Sequence, residues 1–379
     1  MSAATQSKRR RIVVAMSGGV DSSVAAGLLA EKGHEVIGIS LRLAPEPAPG
    51  MPRSSSGCCS IEDFQDAARV ATAINVPHYV FDMREEFQRS VISPFVDEYL
   101  AGRTPSPCIL CNREIKFSLL HKKAFELGAD AVATGHYARI ERDDAGYHLL
   151  CGHDRNKDQS YFLFEMGQRE LETTLFPVGA MAKDEVREHA VRLGLPVAEK
   201  PDSQEICFVS DGRYAEFVRR AAPERVKAGQ IRNENGDVVG THEGVHGYTV
   251  GQRRGLGVSA ANPLYVSAID AETATVTVSE RASLAADGLF ATGATWVAGG
   301  PPDHRERVQA RIRYRHDPVA ATVVQKGQGT VEVVFDEPQY AVTPGQATVF
   351  YRDDEVVGGA WIERGIATAQ SRDVLAEML

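Results

Sequence analysis

Residues 12–23 read IVVAMSGGVDSS, and the way this stretch folds decides the architecture of the first half of the chain. Ile12 to Ala15 is a short apolar, β-branched run with the composition of a buried strand. Ser17, Gly18 and Gly19 break it, and the Ala/Leu-rich run from Val24 to Glu31 that follows reads as a helix stopped at Gly33. A strand that delivers small residues to a helix start leaves backbone N–H groups without partners, aligned with the positive end of the helix dipole. Such a loop takes anionic phosphate. No Gly-Lys-Ser/Thr follows, so this is not the Walker arrangement. Asp21 is ill suited to cradling phosphate itself and points to a role through Mg2+ or through the shape of the loop.

Outward from this loop, short β-rich runs alternate with amphipathic ones: EVIGISLRL before a helix from about Ile61, HYVFDM before helical patterns, then AVATGH. That alternation predicts βαβ units, a parallel sheet and a ligand site at the carboxyl ends of its strands. Six positions, SGGVDS, resemble the pyrophosphate-binding loop of ATP pyrophosphatases, which implies ATP, with Mg2+, as the nucleotide. The expected fold is an α/β domain of the adenine nucleotide alpha hydrolase-like (PP-loop) kind over residues 1–210. Residues 159–222 read as mostly helical, clearest over 183–193 and 212–221. From about Gly240, short alternating strands such as VQARIRYR and TVEVVFD are divided by Gly, Pro and Asp turns. A small central domain over 211–280 and a C-terminal β-barrel over 281–379 are therefore expected. The Pro/Gly/Ser-rich loop between Leu43 and Ser60 is too long for a plain connection, which suggests a functional one.

The chain has 379 residues, 43% hydrophobic and 25% charged, as in ordinary globular proteins, with no apolar run of membrane-spanning length. The basic start, SKRRR, is not followed by the apolar core of a secretory signal, so a cytoplasmic protein with no membrane role is expected. A net charge of −9 argues against binding nucleic acid through bulk charge and directs attention to local basic patches. Six cysteines in a chain of this length do not form a secreted disulfide framework; they point to metal or sulfur chemistry.

Two of the cysteines lie in GRTPSPCILCNREIKF, residues 102–117. With Ser106 as cap and Pro107 in the first helical position, Cys108 and Cys111 fall at i and i+3 on one helix face. A helix N-terminus lowers a thiol pKa from its usual value of about 8.5, each unit being worth about 1.4 kcal/mol toward the thiolate. Nucleophile and metal ligand are both open readings at this point. A third cysteine, Cys207, sits in the polar stretch EKPDSQEICFVSDGRYAEF.

Taken together, AMSGGVDSS, GCCSIEDFQDAARVA, GRTPSPCILCNREIKF, ATGHYARI, KDQSYFL, KPDSQEICFV, YTVGQRRGL and AVTPGQATVFY run in order from about residue 12 to 362. In this the chain resembles the tRNA-specific 2-thiouridylases. The resemblance implies ATP binding by Ala15, Met16, Ser17, Gly18, Gly19, Val20, Asp21 and Ser22, with Leu41 near the adenine and Gly135 against the nucleotide. It implies Cys111 as nucleophile and Cys207 as persulfide carrier, the two forming a transient disulfide. It also implies tRNA contacts by His136, Lys157, Asp158, Gln159, Arg313, Tyr314, Arg315 and Gln346. The implied substrates are tRNAs for Lys, Glu and Gln, and the implied sulfur donor is a cysteine desulfurase or a sulfur-relay protein.

Many members of that family carry aspartate where this chain has Cys108. The departure brings three thiols, Cys108, Cys111 and Cys207, into consideration as ligands of a [4Fe–4S] cluster with one open iron. Zinc fits less well, since a fourth protein ligand is not evident. A non-catalytic cluster-binding RNA module is the reading from a different class, and it predicts no ATP turnover. Cys58 and Cys59 are expected to serve a helix start, and Cys151, alternating in YHLLCG, to be buried. Arg311, Arg313 and Arg315 are expected on one face of a strand as a ridge for phosphates, with Arg253, Arg254 and residues 8–11 adding basic character. Tyr137 or Tyr161 would stack on a flipped base.

Overall fold

The structure, a computed structural model, describes residues 9–43, 61–202, 206–209, 212–301 and 305–368. The 44–57 loop, Cys58, Cys59 and Lys8 lie outside the described residues. The chain divides into two compact units, Met1–Ser90 with Leu110–Gly212, and Val91–Ile109 with Arg213–Leu379.

The first unit opens with β1 (Arg11–Ala15), α1 (Val20–Glu31), β2 (Glu35–Arg42), α2 (Ile61–Ala73), β3 (His78–Asp82) and the single turn α3 (Arg84–Phe87). The chain continues through α4 (Ser93–Leu100) and α5 (Pro107–Leu110), then through π-helical turns over Cys111–Leu120 and α6 (His121–Glu126). Next come β4 (Ala131–Ala133), the hairpin β5 (Ala138–Asp143) and β6 (Gly146–Cys151), α7 (Gln168–Glu172), β7 (Thr174–Leu175) and α8 (Lys183–Arg192). The sheet order is β3-β2-β1-β4-β7, with every pair parallel. β1 is central and covered on both faces, which explains why it reads as an unbroken apolar run. Its side chains alternate: Ile12 and Val14 join a core with Val24, Leu28, Leu29 and Val70, while Val13 packs on the other face with Ile39, Leu120 and Val132. α1, buried along nearly its whole length, has no polar face to offer water.

In the second unit, α4 packs on α9 (Tyr214–Ala221) through aromatic rings: Phe95 meets Phe217 edge-on at 6.0 Å and Tyr99 stacks on Tyr214 at 4.6 Å. A central sheet runs β10-β11-β8-β9, from β8 (Gly229–Arg232), β9 (Val238–His242), β10 (Tyr265–Asp270) and β11 (Thr275–Ser279), over a core of Ile231, Val266, Val276 and Val278. The last six strands are β12 (Ala285–Trp296), β13 (Arg305–Arg311), β14 (Val319–Gly327), β15 (Thr330–Tyr340), β16 (Ala347–Arg352) and β17 (Glu355–Ala367). They pair in the order β12-β15-β14-β13-β16-β17, and β17 returns to β12, which closes an antiparallel barrel around Leu289, Ala310, Val333, Phe350 and Ile362. The α/β class with a C-terminal barrel, as expected from the sequence, is the architecture observed.

Three local expectations are corrected. The mostly helical reading of 159–222 gives way to short helical pieces and turns, with β7 among them. The ridge of three arginines on one strand does not form: β13 ends at Arg311, and Arg313 and Arg315 are exposed in the turn that follows. The Arg311 Nε donates to the His316 carbonyl at 2.9 Å, tying that turn back on the strand end. Tyr137 and Tyr161 are 2% and 0% exposed, so neither ring is available to stack on a base.

Candidate nucleotide and thiol site

After β3 the chain returns to the opposite side of β1 to place β4, so the order in which strands are added reverses between β1 and β4. A crevice at the carboxyl ends of two such strands is where α/β sheets bind ligands. The SGGVDS loop leaves β1 there, and the turn Thr134–His136 leaves β4. Gly18 takes φ +74°, and a Cβ on it would fall 2.2 Å from the Asp63 carbonyl oxygen, so only glycine is accommodated. The Ser22 and Ser23 hydroxyls both donate to the Gly19 carbonyl, at 3.3 and 2.7 Å, and the Ser17 N–H donates to Ser22 Oγ at 3.2 Å. No side chain caps the start of α1, which leaves that end to an anion. Ser40 of β2, one residue before Leu41, donates to the Met16 carbonyl at 2.7 Å and anchors the loop from the adjacent strand.

Charged residues from distant parts of the chain surround the loop. The Lys200 Nζ donates to the Gly18 carbonyl at 3.0 Å and pairs with Asp63 at 2.7 Å and Asp66 at 2.6 Å. The Lys183 Nζ lies 2.7 Å from Asp21 and 2.7 Å from Asp202, and Lys157 also pairs with Asp202 at 2.7 Å. Burial opposes ionisation of Asp202, but the hydrogen bonds from Lys157 and Lys183 outweigh it and hold its carboxyl below the usual range. Tyr137 donates its hydroxyl to Asp21 at 2.7 Å; burial, with Asp21 beside it, raises the phenol pKa. Asp21 thus has two partners within the protein, which favours its role in the shape of the loop.

Lys183, Asp202, Lys200, Asp63 and Asp66 escaped the reading of the sequence. One local signal was present: Lys183 is the first residue of α8, where a cation opposes the helix dipole and calls for an acidic partner from elsewhere.

Cys111 is buried at the start of the π-helical turns, and Cys207 is half-buried in a turn. Phe208, next to Cys207, meets Phe87 of α3 edge-on at 5.6 Å, and α3 also packs beside the Cys111–Leu120 turns. Both thiol-bearing segments therefore use α3 as a common support. Cys108, in α5, is exposed, while Cys111, where the π-helical turns begin, is buried. Cys151 is buried, as expected. Among the described residues no group of three or more His, Cys, Asp or Glu side chains is arranged to hold a metal ion.

The residues expected to meet RNA are placed as follows. His136 is buried, its Nδ1 2.7 Å from Thr134 Oγ1 and its Nε2 3.4 Å from Lys116 Nζ; burial, reinforced by that lysine, pushes its pKa well below 6.5 and keeps the ring neutral. Asp158 is buried and accepts from the Gly152 and Ser160 N–H groups at 2.9 and 3.1 Å, and Gln159 Oε1 accepts from the Tyr137 N–H at 3.0 Å. In the second unit, Tyr314 lies under the Arg311 guanidinium at 5.5 Å, and Gln346 Nε2 donates to the Thr104 carbonyl at 2.9 Å, bracing the segment that leads into α5.

The family described as tRNA methyl transferase HUP domain matches residues 10–211, the tRNA methyl transferase PRC-barrel domain residues 215–280, and the aminomethyltransferase beta-barrel domain residues 286–362. A tRNA-specific 2-thiouridylase MnmA from Geobacter metallireducens is 53% identical over 362 residues, covering 95% of this chain and 98% of that protein. Those from Geotalea uraniireducens and Syntrophotalea carbinolica are 50% and 49% identical, over 95% and 94% of this chain and 97% and 99% of theirs.

Proposed function

This chain belongs to the tRNA-specific 2-thiouridylase family, and on that premise we propose that it is a tRNA-uridine 2-sulfurtransferase that uses ATP to replace the C2 oxygen of the wobble uridine with sulfur. The observation that carries this reading is the uncapped SGGVDS loop at the β1/β4 crevice, in the same unit as Cys111 and Cys207, whose segments share α3. No helix among the described residues is long and apolar enough to cross a membrane.

The uridine C2 oxygen is a poor leaving group. ATP enters as its magnesium complex with its phosphates at Ser17–Ser22, Leu41 toward the adenine and Gly135 against the nucleotide. The C2 oxygen attacks the α-phosphorus, pyrophosphate leaves with the electron pair of the broken P–O bond, and the oxygen becomes the leaving group AMP. Pyrophosphate is received by the loop's N–H groups and the α1 dipole. Cys207 arrives as a persulfide charged by a cysteine desulfurase or a sulfur-relay protein. Its terminal sulfur bonds to C2 as the Cys111 thiolate attacks the inner sulfur; the persulfide S–S bond breaks, a Cys111–Cys207 disulfide forms, and AMP departs with the C–O electron pair. An external thiol reduces the disulfide before the next turnover.

In this reading Arg313, Tyr314, Arg315, Lys157 and Gln346 contact the tRNA, while the buried His136 and Asp158 and the half-buried Gln159 act by shaping the loops beside it. The substrates are tRNAs for Lys, Glu and Gln. The test is the purified protein with ATP, an unmodified tRNA of this set and a persulfide donor, followed by nucleoside analysis. 2-Thiouridine formed in step with AMP supports the proposal; tRNA binding without ATP turnover would sink it and favour a non-catalytic RNA module.

A further inference from the structure

The proposed pyrophosphate loop contains a conflict. Asp21 lies in the first turn of α1, so the end of the helix that is to receive a highly charged anion carries a negative side chain of its own. Two groups meet that carboxylate: the Tyr137 hydroxyl and the Lys183 ammonium, each 2.7 Å from Asp21 Oδ1. Only the lysine brings charge.

Lys183 is 8% exposed, and Asp202 holds it from the other side at 2.7 Å. Asp202 is itself paired with Lys157 at 2.7 Å and Arg187 at 3.5 Å, so it does not add an uncompensated charge. The other amine at the loop, Lys200, is occupied with the Gly18 carbonyl, Asp63 and Asp66. Lys183 also accepts an unfavourable place at the first position of α8, which its two carboxylate partners offset.

We propose that Lys183 is the positioning residue that sets the loop's affinity for ATP and pyrophosphate by cancelling the charge of Asp21. It acts through Asp21, without itself being a phosphate ligand. The inference rests on reading Ser17–Ser22 as the pyrophosphate loop.

The test compares the full-length wild type with Lys183→Met, Lys183→Arg and the double variant Lys183→Met/Asp21→Asn. The readouts are the KM for ATP in tRNA-dependent pyrophosphate release and the inhibition constant of added pyrophosphate. Removing the lysine should raise both by about tenfold or more at low salt, with a smaller effect as screening grows. Asparagine at 21 keeps the acceptor for Tyr137 but removes the charge, so the double variant should bind ATP and pyrophosphate at least about threefold more tightly than Lys183→Met. Lys183→Arg should stay near wild type. A double variant as weak as Lys183→Met, with wild type active, would mean that the ammonium ligates phosphate directly, and would overturn the proposal. Should Lys183→Met fail to fold, Lys183→Gln takes its place in the same comparison, alone and with Asp21→Asn: tighter binding by the double variant supports charge cancellation, and equal binding refutes it. A wild type that releases no pyrophosphate brings down the underlying reading, and the inference with it.

Discussion

Gly135 stands so close to the first turn of α1 that a Cβ on it would lie 2.6 Å from the Ser22 backbone nitrogen and 2.8 Å from the carbonyl carbon of Asp21. The turn after β4 and the phosphate loop are in direct backbone contact, without space for one methyl group. Gly135→Ala must therefore displace the loop N–H groups meant for the nucleotide. The KM for ATP should rise by about tenfold or more, with the far-ultraviolet circular dichroism unchanged. An unchanged KM would show that the two backbones separate at little cost.

The two thiols should affect one half of the reaction only. Cys111→Ser and Cys207→Ser are each expected to reduce 2-thiouridine formation by about a thousandfold or more while tRNA-dependent pyrophosphate release persists. Equal loss of both activities would place these cysteines in nucleotide binding instead. Cys108 is exposed, and Cys108→Ser should thiolate from a persulfide donor at close to the wild-type rate. Anaerobic purification with iron and sulfide analysis checks the same point, since stoichiometric iron lost on Cys108→Ser would favour the cluster reading.

Acid should destabilise the protein through its buried histidines. Burial lowers the His121 pKa to about 4 from 6.5, only partly opposed by Glu170. Between those values the unfolded chain binds a proton that the folded one refuses. The stabilisation is complete above pH 6.5 and is lost as pH falls toward 4, at up to about 1.4 kcal/mol per pH unit for this one group. His136 and His78, shifted the same way, add to it. Urea midpoints measured across that range should fall with acid, and His121→Asn should flatten the slope; a parallel slope would assign the effect to other groups.

Arg103 ties the segment before α5 to the barrel strands by pairing with Glu98 at 2.8 Å and Glu363 at 2.7 Å. Arg103→Met leaves two half-buried carboxylates without their shared cation. It should cost about 1–3 kcal/mol, seen as a lower urea midpoint. A double variant that also carries Glu363→Gln should recover part of the loss.

What the sequence disclosed was whatever is local. Ile12–Val14 and Ser17–Ser22 carry strand, loop and helix start within a dozen residues, and the barrel strands alternate with turn residues between them, so both were legible. The Asp21–Lys183 pair was not, because 161 residues separate its members and an Asp or a Lys in a helix looks the same whether it is solvated or paired. Arg313 and Arg315 misled because period-two spacing continues past the place where a strand stops. The assignment of Val91–Ile109 to the unit that holds the barrel was invisible for a further reason: Phe95 and Tyr99 declare an apolar face, but nothing near them names Phe217 and Tyr214 as the rings that cover it.

The π-helical turns of Cys111–Leu120 have a consequence for how this protein tolerates insertion and deletion. A π-helix holds about one more residue per turn than an α-helix and is the less stable winding. Deleting one exposed residue there, such as Ser118, would let the segment relax to α-helix while Cys111 and the buried anchor Leu120 stay close to their present faces, because the wider turns are what absorb the extra residue. The shorter helix would be the better helix. This segment should thus tolerate the loss of one residue better than the gain of another.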